Sequence, residues 1–367
     1  MNLPRKIRVL VVDDSAVVRQ AITQALSQDP EIQVVGSACD PYVARDMILE
    51  LNPDVLTLDI EMPRMDGLTF LRVLQKHRPI PVVVVSSLTR TGSHAALEAL
   101  ECGAVDVIGK PGSASAIGQL HDQLAVRVKG AAFARVLPPV APEGAAPVQP
   151  GPGASKGLNA RQLILFGAST GGTEALKAVL TKLPDGLPGI CIVQHIPPFF
   201  STAFAERLNE LCALEVREAR NNDVLHPGLA LIAPGDYHMV VLWKDDRYIV
   251  SLNQNPPLHH TRPAVDVLFN SAAACAGDHA VAVLLTGMGS DGANGMRKLK
   301  AAGATTIAQN EQSCVVYGMP RAAVEMGAVD HVVPLNKIPL AIIEALQSRS
   351  TQTSHKRAPA CVPDSRS

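Results

Sequence analysis

The sequence predicts two α/β domains, each built on a doubly wound parallel sheet. Three observations carry that reading. Short apolar runs, among them Ile7–Val12 and Leu163–Phe166, have the pattern of strands buried on both faces. These runs alternate with stretches whose apolar residues recur at helical spacing. The chain is 367 residues long, enough for about two domains with cores of their own.

Composition narrows the function classes. Hydrophobic residues make up 47% and charged residues 18%, which suits compact α/β domains rather than disorder. A net charge of −1 provides no basic surface for nucleic acid or an anionic membrane. The seven cysteines are scattered, with no Cys-x-x-Cys, so they point to a reducing compartment and neither a disulfide framework nor a zinc site. A strand begins almost at once with no signal peptide ahead of it, and no apolar stretch is long enough to span a bilayer. The expectation is a cytoplasmic protein with no membrane insertion and no nucleic-acid partner.

In the first half, the pattern predicts strands over Ile7–Val12, Val34–Ala38, Asp54–Leu58, Pro81–Val85 and Val105–Ile108. Helices are expected over Ala16–Ser27, Pro41–Leu51, Gly67–His77, Ser93–Gly103 and Ser115–Val128. Five alternations make one doubly wound unit, whose ligands bind at the carboxyl ends of its strands. Those ends carry Asp13, Asp14, Asp59, Ser86 and Lys110. Carboxylates converging on one edge repel each other unless a hard cation binds them, and Mg²⁺ suits the set. A cation and a lysine beside one aspartate also make it a good phosphoryl acceptor. For any one of these residues, capping a strand or helix is a sufficient explanation. For five residues at the matching ends of four strands it is not.

These residues resemble a response-regulator receiver domain over 5–128, with a flavodoxin-like fold. The match lies in Asp13-Asp14, in Leu58-Asp59-Ile60-Glu61-Met62-Pro63 followed by Asp66-Gly67, in Ser86, and in Lys110-Pro111. The resemblance implies that Asp59 is the phosphoacceptor. It implies that Asp13 and Asp14 hold Mg²⁺ with Asp59 and the backbone carbonyl of Glu61, and that Ser86 and Lys110 contact the phosphoryl group. Val107 stands where the best-known members carry an aromatic switch, and Glu61 adds negative charge near the phosphate.

Residues 129–160 are rich in Ala, Pro and Val without periodicity and read as a semi-extended linker. The second domain is expected over 161–349, and 350–367 as a disordered polar tail. Here the strand from Leu163 is expected to end at Gly167, with a helix over Gly172–Leu183. Ser169 then sits in a tight strand-to-helix turn. The spacing Gly167-x-Ser169-x-Gly171 matches a nucleophile elbow, in which the helix N-terminus offers N–H groups to an oxyanion. Two alternatives are a plain glycine-rich turn and a degraded dinucleotide fingerprint. The second fits worse, because Ser169 stands where a glycine must let a pyrophosphate approach.

Further strands are expected over Gly189–Gln194, Glu215–Ala219, Leu229–Ala233, His279–Leu285 and Ala304–Ala308, with Val329–Val333 between the last helices. Helices are expected over Pro197–Leu211, Pro263–Ala274, Ala293–Ala302, Gly318–Met326 and Lys337–Leu346. Tyr237–Trp243 and Tyr248–Leu252 flank a charged turn and read as a hairpin. Ser169, His195 and Asp291 fall at strand ends. A serine hydroxyl needs a base, and a histidine serves when a carboxylate fixes its tautomer. In an open α/β sheet the three can meet only above one edge. The chain order Ser…His…Asp argues against an ordinary lipase or esterase.

Residues 161–348 resemble the catalytic domain of the chemotaxis methylesterases, the CheB family. The match lies in Phe166–Gly172, Val193–Pro197, Arg262–Phe269, Leu285–Gly292 and Gly318–Pro320. The resemblance implies a Rossmann-like domain in which Ser169 is the nucleophile, His195 the general base and Asp291 its orienting partner. Met288, through its backbone N–H, and Thr170 would form the oxyanion hole. No cofactor is implied for hydrolysis. The implied activity is removal of methyl groups from glutamate γ-esters, and deamidation of glutamines, on methyl-accepting chemotaxis receptors. A chemotaxis histidine kinase would be the phosphodonor, and the protein would be a monomer. Two other classes stay open at this point: a regulated binding module without chemistry, and a nucleotide-binding Rossmann enzyme. The latter calls for an acidic residue after the second strand of this domain, where the sequence has Gln194-His195.

Overall fold

The computed structural model describes residues 5–110, 117–134 and 161–355. The first sheet comprises β1 (Ile7–Val12), β2 (Ile32–Ala38), β3 (Val55–Asp59), β4 (Val82–Ser86) and β5 (Asp106–Gly109). Its order is β2-β1-β3-β4-β5, and every pairing is parallel. Five helices connect it: α1 (Ala16–Ser27), α2 (Pro41–Leu51), α3 (Gly67–His77), α4 (Arg90–Glu101) and α5 (Ile117–Ala132). Helix ends follow local chemistry. Ser15, Asp40, Asp66 and Thr89 each accept a hydrogen bond from a first-turn N–H. One apolar layer joins α1 and α5 to the sheet through Ile22, Leu26, Leu124 and Val128. The other layer lies under α2, α3 and α4.

The second sheet has seven strands, all parallel: β6 (Leu163–Ala168), β7 (Ile190–Gln194), β8 (Glu215–Glu218), β9 (Leu229–Ile232), β12 (Ala280–Leu284), β13 (Thr305–Gln309) and β14 (His331–Val333). Between β9 and β12 comes the antiparallel hairpin β10 (His238–Lys244) and β11 (Arg247–Asn253). Helices α6 (Gly172–Leu180), α7 (Phe200–Leu211) and α11 (Ile338–His355) cover one face of the sheet. Helices α8 (Val265–Cys275), α9 (Ala293–Ala301) and α10 (Met319–Glu325) cover the other, together with the hairpin. The sheet order is β14-β13-β12-β6-β7-β9-β8. The chain enters at β6, winds outward through β7, then returns to start the other half at β12. The topological switch point, where such sheets bind ligands, therefore lies between β6 and β12.

Several boundaries differ from expectation for physical reasons. Strand β6 continues through Gly167 to Ala168, because both residues stay in register with β7. Helix α7 starts at Phe200 rather than Pro197. The consecutive prolines hold the residues before them out of the α region, and Phe199 is left-handed at φ 68°. Helix α5 runs to Ala132, inside the stretch expected as linker. Its composition resembles a linker, but Ala131 is fully buried against the first domain's core. The rest of that stretch, 135–160, lies outside the described residues. The final helix reaches His355, past the expected start of the tail at 350, and 356–367 lie outside the described residues.

The two halves touch through α4, α5 and the start of β5. Helix α4 packs on α6 and α7, and one apolar cluster runs through both halves on that side. Val315 of the second half packs against the cluster that holds Ala131.

Candidate functional site

Ser169 follows β6, His195 follows β7, and Asp291 lies in the loop after β12. These strands are neighbours in the order β12-β6-β7, so the topology delivers all three residues to one edge. The backbone then fixes each in place. The Ser169 N–H donates to the Thr286 carbonyl at 3.0 Å, tying the serine turn to the β12 loop. The Gln194 side-chain amide donates to the Ser169 carbonyl at 2.9 Å. The left-handed residue of this turn is Gly171, at φ 74°, and not the serine itself.

His195 bridges the other two residues. Its Nδ1 lies 3.1 Å from Ser169 Oγ, and its Nε2 lies 2.8 Å from Asp291 Oδ2. An ionised carboxylate only accepts, so Nε2 carries the proton and Nδ1 is left to accept from the serine. All three residues are buried, Ser169 at 7% exposed. Asp291 also accepts the N–H groups of Val265, at 2.7 Å, and Asp266, at 2.8 Å. Burial alone would raise its pKa. The His195 bond and charge and these two N–H groups outweigh burial and hold the carboxyl below its usual value.

Gly287, the neighbour of Met288 in the chain, lies against the serine. A Cβ at Gly287 would fall 2.7 Å from the Ser169 Cβ and 2.4 Å from the Met319 sulfur. Only a glycine allows the two loops to approach this closely. Thr170 is buried, and its hydroxyl donates to Asp106 Oδ2 at 2.6 Å.

Residues not anticipated from the sequence complete the site. Thr261 Oγ1 lies 3.4 Å from His195 Nε2. His259 Nε2 lies 3.0 Å from Asp266 Oδ2, and Asp266 in turn accepts the Gly295 N–H at 2.6 Å. Arg127 of α5 pairs with Asp106 and donates to the His195 carbonyl at 3.2 Å. Their sequence signal lay in the Arg262–Phe269 motif for Asp266 alone. Nothing local marks Asp106 or Arg127.

A second polar cluster lies at the carboxyl edge of the first sheet. One carboxylate oxygen each from Asp13, Asp14 and Asp59 lies within 4.8 Å of the others. Asp13 and Asp59 are fully buried, and Lys110 Nζ stands 3.2 Å and 2.7 Å from them. Among the described residues, the two oxygens facing it have no hydrogen-bond partner beyond that ion pair. Burial pushes the Asp59 carboxyl up to about 6, with the Asp13 charge adding to the rise and Lys110 and the Glu61 N–H opposing it. Burial also raises Asp13, while the two aspartates keep Lys110 above its usual value despite its own burial. Three carboxylates at this spacing against one lysine fit a small hard divalent cation. The Glu61 N–H donates to Asp59 Oδ1 at 3.1 Å, and the Glu61 side chain accepts from Ser87. Ser86 is buried at the end of β4 with its hydroxyl donating to the Gly92 carbonyl at 3.2 Å. Val107 is buried in β5.

Comparisons with known proteins agree over both halves. A family profile described as CheB methylesterase matches residues 164–342, and one described as response regulator receiver domain matches residues 9–122. Protein-glutamate methylesterase/protein-glutamine glutaminase 2 of Syntrophus aciditrophicus is 55% identical over 333 residues, covering 91% of this chain and 97% of that protein. A protein of the same name from Pseudomonas aeruginosa is 49% identical over 352 residues, covering 94% and 98%. Among solved structures, the CheB methylesterase catalytic domain of Thermotoga maritima is 38% identical, covering 50% of this chain and 97% of that one with a TM-score of 0.49.

Proposed function

The chain belongs to the protein-glutamate methylesterase/protein-glutamine glutaminase family, and from that membership and the geometry around Ser169 we propose that it is a phosphorylation-activated serine hydrolase of chemotaxis receptors. Its substrates are glutamate γ-methyl esters and glutamine side chains on methyl-accepting receptors. One observation supports the chemistry above all: His195 stands between Ser169 Oγ and Asp291 with one ring nitrogen facing each.

Ser169 Oγ attacks the γ-carbonyl carbon while His195 Nδ1 takes its proton. Asp291 stabilises the imidazolium through the Nε2 proton. The Met288 N–H and Thr170 stabilise the oxyanion of the tetrahedral intermediate. Collapse expels methanol from an ester, or ammonia from an amide, with the proton returned by His195. A γ-glutamyl-serine ester remains. Water, activated by the same histidine, hydrolyses it to glutamate and restores the serine. A single site therefore serves both reactions.

In the receiver half, Asp59 accepts the phosphoryl group from a chemotaxis histidine kinase. Asp13, Asp14, Asp59 and the Glu61 carbonyl would hold Mg²⁺, which neutralises charge on the incoming phosphoryl group. Lys110 pairs with that group, and Ser86 turns from Gly92 towards it. Residues 5–128, 129–160 and 161–349 act as receiver, linker and catalytic domain, with 350–367 as a tail. The protein works as a cytoplasmic monomer. Among the described residues, no helix is long and apolar enough to cross a membrane. The receiver restrains the site, since its α5 lies against Met288 and Thr170: a Cβ at Gly130 would stand 3.4 Å from the Met288 Cβ. The deciding experiment is methanol release from methylated receptor membranes, with and without a small-molecule phosphodonor, using Ser169→Ala as control. Release that survives in the Ser169→Ala protein would overturn the assignment.

A further inference from the structure

The contact between the halves contains a polar network that reaches the residues flanking the site. Thr170 neighbours the nucleophile, and its hydroxyl has a single proton to donate. In this structure that proton goes to Asp106 Oδ2, 2.6 Å away, in a buried charge-assisted bond. Asp106 is the first residue of β5, the strand that leads to Lys110 and the phosphoacceptor cluster. Its other oxygen accepts the Val107 N–H at 2.8 Å and pairs with Arg127. Arg127 in turn donates to the His195 carbonyl at 3.2 Å. One receiver carboxylate and its arginine thus hold the residue after the nucleophile and the backbone of the base.

We propose that Asp106 inhibits the enzyme by capturing the Thr170 hydroxyl, a donor that the oxyanion needs. The inference rests on the hydrolase reading above and adds a mechanism to it. A hydroxyl donating to a carboxylate cannot donate to a developing oxyanion as well. A cover alone would treat Thr170 as a passive contact. Capture makes Thr170 a catalytic residue whose proton is withheld, and Asp106 the positioning residue that withholds it.

The two readings predict opposite signs for one substitution. Methanol release is measured on full-length protein with methylated receptor membranes, with and without phosphodonor. Thr170→Val should lower the phosphorylated rate by about 10²-fold, as for loss of an oxyanion donor. Thr170→Ser, which keeps the hydroxyl, should restore most of it. Asp106→Ala should raise the unphosphorylated rate about tenfold in the parent protein and leave the Thr170→Val protein unchanged. Asp106→Asn keeps the volume with a weaker acceptor and should give a smaller rise, which guards against an unfolding artefact. If Thr170→Val raises the unphosphorylated rate and spares the phosphorylated one, Thr170 is only a latch and the proposal falls. It falls too if Asp106→Ala accelerates both backgrounds equally, or neither. Absence of methanol release from the phosphorylated parent would instead sink the hydrolase reading itself.

Discussion

Ser169 is a small buried residue, and on the proposed reading its hydroxyl does chemistry and little packing. Ser169→Ala should leave the melting temperature nearly unchanged and reduce methanol release by about 10⁴–10⁶-fold. Retention of a tenth of the parent rate would remove Ser169 from the nucleophile's role. The receiver offers a pH test. Burial raises the Asp59 pKa from 3.8 to about 6, so the folded state binds its proton more tightly than the unfolded state. That contribution to stability is full below about pH 4 and is lost as pH rises through about 6. A divalent cation pairs with the ionised carboxylate and opposes the loss. Thermal melts should therefore show little Mg²⁺ stabilisation at pH 5 and a growing effect above pH 6, and Asp59→Asn should flatten the trend. Equal Mg²⁺ stabilisation at both pH values would place the cation elsewhere. At this scale the strand-end residues were legible, because a parallel sheet sends every strand end to one edge. Asp106 and Arg127 were not. Beyond pairing with each other they reach Thr170 and His195 in the other half of the chain, and no local pattern marks a side chain that reaches across an interface.

Strands and helices were legible as elements because burial on both faces leaves continuous apolar runs, as in β6, and amphipathic helices leave spaced ones. The turns between them were less so. The start of α7 was misplaced because Phe199 takes a left-handed turn that no phenylalanine advertises. The end of α5 was missed because Gly130, Ala131 and Ala132 suit a linker as well as a close helix contact. The Gly287 loop gives an element-scale prediction. Gly287→Ala would drive a Cβ into Ser169 and Met319, pushing Met288 away from the nucleophile. Overpacking of this kind costs about 1–3 kcal/mol. The stability loss should be modest and the loss in kcat about 10²-fold, read by calorimetry beside methanol release. Unchanged kcat in a folded variant would show that the Met288 loop is not needed where it stands.

For the whole molecule, the docking of α4 and α5 on the catalytic half predicts that removing residues 1–150 releases restraint. The remaining protein should hydrolyse receptor esters without phosphodonor, faster than the unphosphorylated full chain. To gain tenfold, docking need contribute only about 1.4 kcal/mol. A truncated protein no faster than the full chain would show that the docked receiver assists the site. The docking contacts themselves are of two kinds. Beside the buried Asp106 bond, Glu101 of α4 meets Lys177 at 3.1 Å and Arg207 at 3.4 Å, and His94 meets Glu206 at 3.7 Å. These pairs are partly exposed and individually worth about 0–1 kcal/mol, and dissolved salt screens them. The Debye length falls from about 10 Å at 0.1 M to about 3 Å at 1 M. Ionic strength is thus a second dial on the same joint, acting with no phosphoryl group transferred. Unphosphorylated methanol release should climb as sodium chloride is added, and Glu101→Gln should blunt the climb. Water loss that concentrates the ions around the protein would then loosen this joint and raise hydrolysis with no kinase taking part.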